Sequence, residues 1–130
     1  MPATSIDREG RSSASEPAGA SGPLADVANS IVHLYKDAFG RGPTKARARF
    51  AGTDLLVVVL EDIMTVAERN LLELGEVARL HEQRLFVQLA IEDRKRSEVE
   101  RILERSTVAA ICGVDPIRDL AVEMFTLETG

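Results

Sequence analysis

Two histidines and one cysteine are the scarce reactive side chains of this 130-residue sequence: His33, His81 and Cys112. A structural zinc site needs four closely arranged ligands, and these three fall on three separate expected elements. No metal site is expected. Cys112 stands in the apolar run "TVAAICGV", where burial raises a thiol pKa and leaves it inert. The carboxylates Glu61, Asp62, Asp115 and Asp119 sit at element ends beside loops. General acid–base work requires two such groups in different environments of one cleft. An enzyme would need two of Glu61, Asp62, His81 and Asp115 to converge. The expectation is a protein with no catalytic residues and no cofactor.

The stretch "FGRGPTKARARF", Phe39 to Phe50, is the other candidate. Gly40 and Gly42 permit close backbone approach, and successive N–H groups could cradle an anion. Arg41, Lys45, Arg47 and Arg49 would add charge. Yet this loop runs from a helix into a strand, whereas the well-marked phosphate loops run from strand to helix. Its cations also complement the dipole at the end of the preceding helix. No aromatic residues interleave with them to stack bases. A turn followed by a solvated strand face is preferred. Binding of an anion, a nucleotide or RNA through Gly40, Arg41, Gly42, Pro43, Thr44, Lys45 and Arg47 is the alternative.

Bulk composition sets the frame. A formal net charge of −5 argues against broad affinity for nucleic acid or anionic lipid. A single cysteine allows no intrachain disulfide and suits a reducing compartment. The longest strongly apolar run, "LLVVVL", is far short of the roughly 20 residues that a membrane helix needs. No secretory signal is visible. The expectation is a cytoplasmic protein with no direct membrane insertion.

The elements that must position these residues follow from periodicity. Residues 1–22 are dominated by Ser, Ala, Gly and Pro and are expected to be a disordered tail. Residues 23–130 should form one domain. Leu24, Val27, Ala28, Ile31, Leu34, Tyr35 and Ala38 recur at helical spacing. Ser21 or Gly22 can cap that helix, Pro23 suits its first turn, and Gly40 can close it. His33 lies on its polar side. Alternation in "KARARF" and the β-branched "LLVVVL", with "AGTD" between them, predicts a hairpin. "TVAE", Thr65 to Glu68, is a capping box. The helical pattern after it runs almost to Arg105, about 60 Å as one rod, so a break is expected at Gly75.

That long segment carries two apolar stripes. Ala78, Leu85, Leu89, Val99 and Leu103 share one side, and Leu80, Val87 and Ile91 lie roughly opposite. A helix apolar on two sides needs two partners. The sheet can cover one stripe, and the first helix or a second copy of the chain the other, so Leu80, Val87 and Ile91 are the candidate dimer stripe. "EDRKRSEVER", Glu92 to Arg101, reads as a solvated extension. "TVAAICGV", the turn "DPIRD" and "LAVEMFTLE" predict a second hairpin. The expected fold is α+β in the order α-β-β-α(broken)-β-β, a four-stranded antiparallel sheet with helices on one face.

The segments "HLYKDAFGRGPTKARA", "VVVLEDIMTVAERNLLELG" and "DLAVEMFTLE" resemble the small bacterial domain family MpsC, named for a sodium-translocating, membrane-potential-generating system. The resemblance spans about Leu24 to Glu128. It implies an accessory component of a membrane system linked to cation and inorganic-carbon uptake, with membrane proteins as partners and no catalytic residues to carry over. The matching positions Gly40 to Lys45 and Arg47 become candidates for the family's interaction. The combined expectation is a non-enzymatic, homodimeric accessory or regulatory module whose first-choice partner is not nucleic acid.

Overall fold

The computed structural model describes residues 21–129, so nearly all of the expected amino-terminal tail lies outside the described residues. Helix α1, Pro23–Phe39, starts at Gly22 with proline in its first turn. It stops where Gly40 turns left-handed, with φ of 83° and its N–H on the Lys36 carbonyl. Val27, Ala28, Ile31, Leu34 and Tyr35 form its buried stripe. Gly42 follows in close contact: a Cβ there would stand 3.1 Å from the Val32 carbonyl oxygen, so the loop lies flat on α1.

Strands β1 (Lys45–Phe50), β2 (Leu55–Glu61), β3 (Thr107–Asp115) and β4 (Leu120–Leu127) make one antiparallel sheet in the order β1-β2-β4-β3. The apolar β2 is central, as its β-branched run requires. Its alternate residues Leu56, Val58 and Leu60 are fully buried and join Ala48, Ala121, Phe125 and Leu127 under α1. Burying that set is what holds the two layers together. The helices cover this face alone.

The expected break at Gly75 is present: α2 (Val66–Glu73) ends there, and Gly75 has a φ of 84°. Thr65 forms both halves of its capping box with Glu68. A second break, not expected, falls at Ile91 and separates α3 (Val77–Ala90) from α4 (Glu92–Leu103). Two expectations change as a result. Leu80 and Ile91 of the dimer stripe are 0% and 5% exposed, and Val87 is half-buried, all within one chain. Short helices can each turn their best flank inward, so the chain covers its own stripe. The large apolar residues left exposed on α3 are Phe86 and Leu89. Nor is "EDRKRSEVER" a solvated extension, because Lys95 and Val99 are buried as α4 packs against α1 and the sheet.

Candidate functional site

The basic loop is where the sequence pointed, and two of its four cations, Arg41 and Arg47, are met from within. Arg41 donates from Nη1 to the carbonyls of Asp62 (2.8 Å) and Met64 (2.7 Å), and from Nη2 to Asp62 Oδ2 (2.7 Å). The Thr44 hydroxyl reaches the same oxygen at 2.9 Å. Arg69 bridges Asp62 Oδ1 at 2.8 Å and Asp119 Oδ2 at 3.0 Å. Asp119 in turn accepts the N–H groups of Ile63 (2.7 Å) and Met64 (2.9 Å) at Oδ1.

Asp62 and Asp119 both have positive φ, 61° and 57°, a conformation aspartate tolerates better than most residues. Their backbones also join, Asp62 N–H to Asp119 carbonyl at 3.0 Å. The hydrogen bonds from Arg41 and Thr44 hold the Asp62 carboxyl below the usual range. The two acids converge, but on arginine and backbone. The motif is a lock between the α1–β1, β2–α2 and β3–β4 loops.

Of the remaining named positions, Pro43 is buried and Gly40 caps α1. Arg47 pairs with Glu61 at 2.7 Å. Lys45 and Arg49 have no ion pair among the described residues. His33 is exposed on α1, His81 half-buried on α3 and Cys112 half-buried on β3. Burial, then the neighbouring Glu123 charge, push the Cys112 thiol up.

A second constellation was not expected. Tyr35, Gln88, Lys95 and Glu123 are all at most 2% exposed and close a ring of hydrogen bonds. The Tyr35 hydroxyl donates to Glu123 Oε2 at 2.5 Å and accepts from Gln88 Nε2 at 2.6 Å. Lys95 Nζ donates to Gln88 Oε1 and Glu123 Oε1, both at 2.7 Å. Burial and the Glu123 charge drive the Tyr35 phenol far above its ordinary value. An ion pair out of water stands only when its remaining lone pairs and protons are met, and this ring does that. The signals were in the spacing: Lys95 lies midway between Ile91 and Val99, and Glu123 is in phase with Ala121 and Phe125.

Arg84 is, with Lys95, one of two buried cations among the described residues, fully enclosed on α3. It binds Glu68 through two bonds of 2.8 and 2.7 Å and the Ile63 carbonyl at 2.7 Å. Its guanidinium carbon lies 3.8 Å from the centre of the Phe39 ring, a cation–π distance. Its Nη1 has no hydrogen-bond partner among the described residues. Burial raises the Glu68 pKa, but Arg84 and the Thr65 backbone N–H outweigh it and the net shift is down. Glu68 therefore serves the helix cap and the arginine at once.

The outer sheet face differs. The register places four rows across it: Lys45, Glu61, Leu120 and Asp115; then Arg47, Val59, Val122 and Gly113; then Arg49, Val57, Met124 and Ile111; then Leu55, Thr126 and Ala109. No described helix packs there. Ile111 is 59% exposed, and a Cβ built on Gly113 would meet nothing within 4 Å. Half-buried apolar side chains, Val57, Val59, Val122 and Met124, fill the middle of the two central strands, with Glu61 and Thr126 at their ends, and cations mark one edge.

Fold and sites together define a small two-layer α+β domain whose buried charges are paired in place and whose outer sheet face no described element covers. The chain belongs to the MpsC family: the family model described as "Na+-translocating membrane potential-generating system (MpsC)" matches residues 24–129. Comparison with curated proteins and with solved structures returns no match. Among the described residues no helix is long and apolar enough to cross a membrane.

Proposed function

We propose that this protein is a non-enzymatic accessory component of the sodium-translocating, membrane-potential-generating system for which its family is named. It acts in the cytoplasm by docking onto proteins. The uncovered sheet face carries this reading. A sheet normally hides an apolar face, and here valines, a methionine and an isoleucine are left for a partner. The internal arrangement supports it from the other side. Arg41, Arg84 and Lys95, with Asp62, Glu68 and Glu123, are committed to one another and to the backbone, which suits a rigid scaffold. Phe86 and Leu89, exposed on α3, offer a separate apolar surface for a membrane-protein partner.

The alternative, an anion, nucleotide or RNA site on the Gly-Pro loop, has less support, because Arg41 and Arg47 already hold carboxylates. Deletion of the gene should lower the sodium-dependent component of the cell's membrane potential, measured with a potential-sensitive dye, and the intact gene should restore it. A deletion strain whose potential matches wild type at every sodium concentration would overturn the proposal.

A further inference from the structure

We propose that the outer sheet face binds a second copy of this chain, sheet on sheet, about a two-fold axis parallel to the strands. The inference rests on reading that face as the docking surface, and it names the occupant. Charge complementarity between the rows of the two copies selects this axis. An axis running across the strands would lay β1 on β1 and set Arg47 over the other copy's Arg49, cation on cation. An axis along the strands instead lays β1 of each copy over β3 of the other, and keeps every row in register.

Lys45 then faces Asp115, and neither has an ion pair among the described residues. Arg47 faces Gly113, the position with no side chain and open space above it. In the middle, β2 lies over β4, so Val59 meets Val122 and Val57 meets Met124. Lys45, Arg47, Arg49 and Asp115 fall on the two edge strands and aliphatic groups fill the two middle rows of the centre, while Glu61, at the end of β2, is already paired with Arg47. Charged edges around an apolar middle are the pattern of a protein interface. Packed sheets of this kind lie about 10 Å apart with strands nearly aligned.

The face is small, roughly 400 Å² in projection per copy from strand spacing and rise. That places the complex at the weak end of specific association. A reversible, concentration-dependent dimer follows, and α3 stays free for a different partner.

Sedimentation of the full chain from low to several hundred micromolar tests this, with thermal melts to confirm folding of each variant. Wild type should pass from monomer to dimer. Val57→Asp should raise the dissociation constant on the order of 100-fold, because it strands a charge in the apolar centre. Gly113→Arg, which has room in the monomer, should weaken association by at least about tenfold, since it opposes Arg47. Lys45→Asp and Asp115→Lys should each cost roughly tenfold, because symmetry repeats the pair. The double swap should return to within about twofold of wild type.

A monomer at all concentrations overturns the proposal. So does a dimer indifferent to Val57→Asp and Gly113→Arg, or a double swap that restores nothing. A monomeric protein whose gene still supports the sodium-dependent potential would sink the dimer alone. A dimer whose deletion leaves the potential unchanged would sink the functional reading alone.

Discussion

The two faces of the sheet are made from the same strands, yet they carry opposite kinds of polar group. On the covered face Glu123 is fully buried and held by Lys95 and Tyr35. On the outer face Lys45 and Arg49 stand in solvent with no carboxylate partner among the described residues. Adjacent residues of one strand thus face different physics: inside, an unpaired charge is intolerable, while outside it is nearly free. The covered face has become a rigid support, and the outer face keeps its polar and apolar groups available.

Removing a partner inside the ring should produce the largest effect. Lys95→Met leaves Glu123 buried without its cation and should cost about 3–5 kcal/mol in denaturant unfolding. A double variant that also replaces Glu123 with Gln should recover part of it. If Lys95→Met is as stable as wild type, the ring is not closed as described. Next, Phe125→Ala should cost about 3–5 kcal/mol through the cavity it leaves. Its neighbour Met124→Ala, on the outer face, should change monomer stability by only about 0.5 kcal/mol. Equal costs would mean that the two faces are equally enclosed.

The same contrast holds within the basic loop at smaller scale. Arg41→Ala frees two carbonyls and Asp62 and should lower Tm by about 4–8 °C, whereas Lys45→Ala should leave it within about 2 °C. The smallest effect concerns acid. Asp62, Glu68, Glu98 and Glu100 all titrate lower in the folded chain than in free peptides, each receiving hydrogen bonds from arginine, serine, threonine or backbone. The unfolded chain therefore takes up protons first as pH falls. Their stabilisation is whole above the ordinary carboxylate value of about 4 and is lost below it. Tm should drop as pH passes from about 5 to about 3, and Asp62→Asn should flatten that slope slightly.

Much of the fold was legible because local rules acted alone. Gly40 closes α1, Thr65 and Glu68 cap α2, Gly75 breaks the helical pattern, alternation marks β1 and a β-branched run marks β2. The loop residues were legible as a unit, but their role was not. Arg41 meets Asp62 across 21 residues of sequence, and only the folded chain shows that the arginine is already engaged. The charged run after Glu92 misled for a related reason. Its average polarity is high, and one lysine on the inner side is hidden by that average although Ile91 and Val99 flank it at helical spacing.

By itself the sequence determined the elements apart from the break at Ile91, their order and the two-layer class, because capping, period and turn chemistry act within a few residues. Tertiary structure alone decided which charges are consumed and which remain available. That depends on pairings between distant segments, Arg84 with Glu68, Lys95 with Glu123 and Arg41 with Asp62, and on which flank each short helix turns inward. Those choices come from burial and electrostatic satisfaction of the whole chain at once, and no local window contains them.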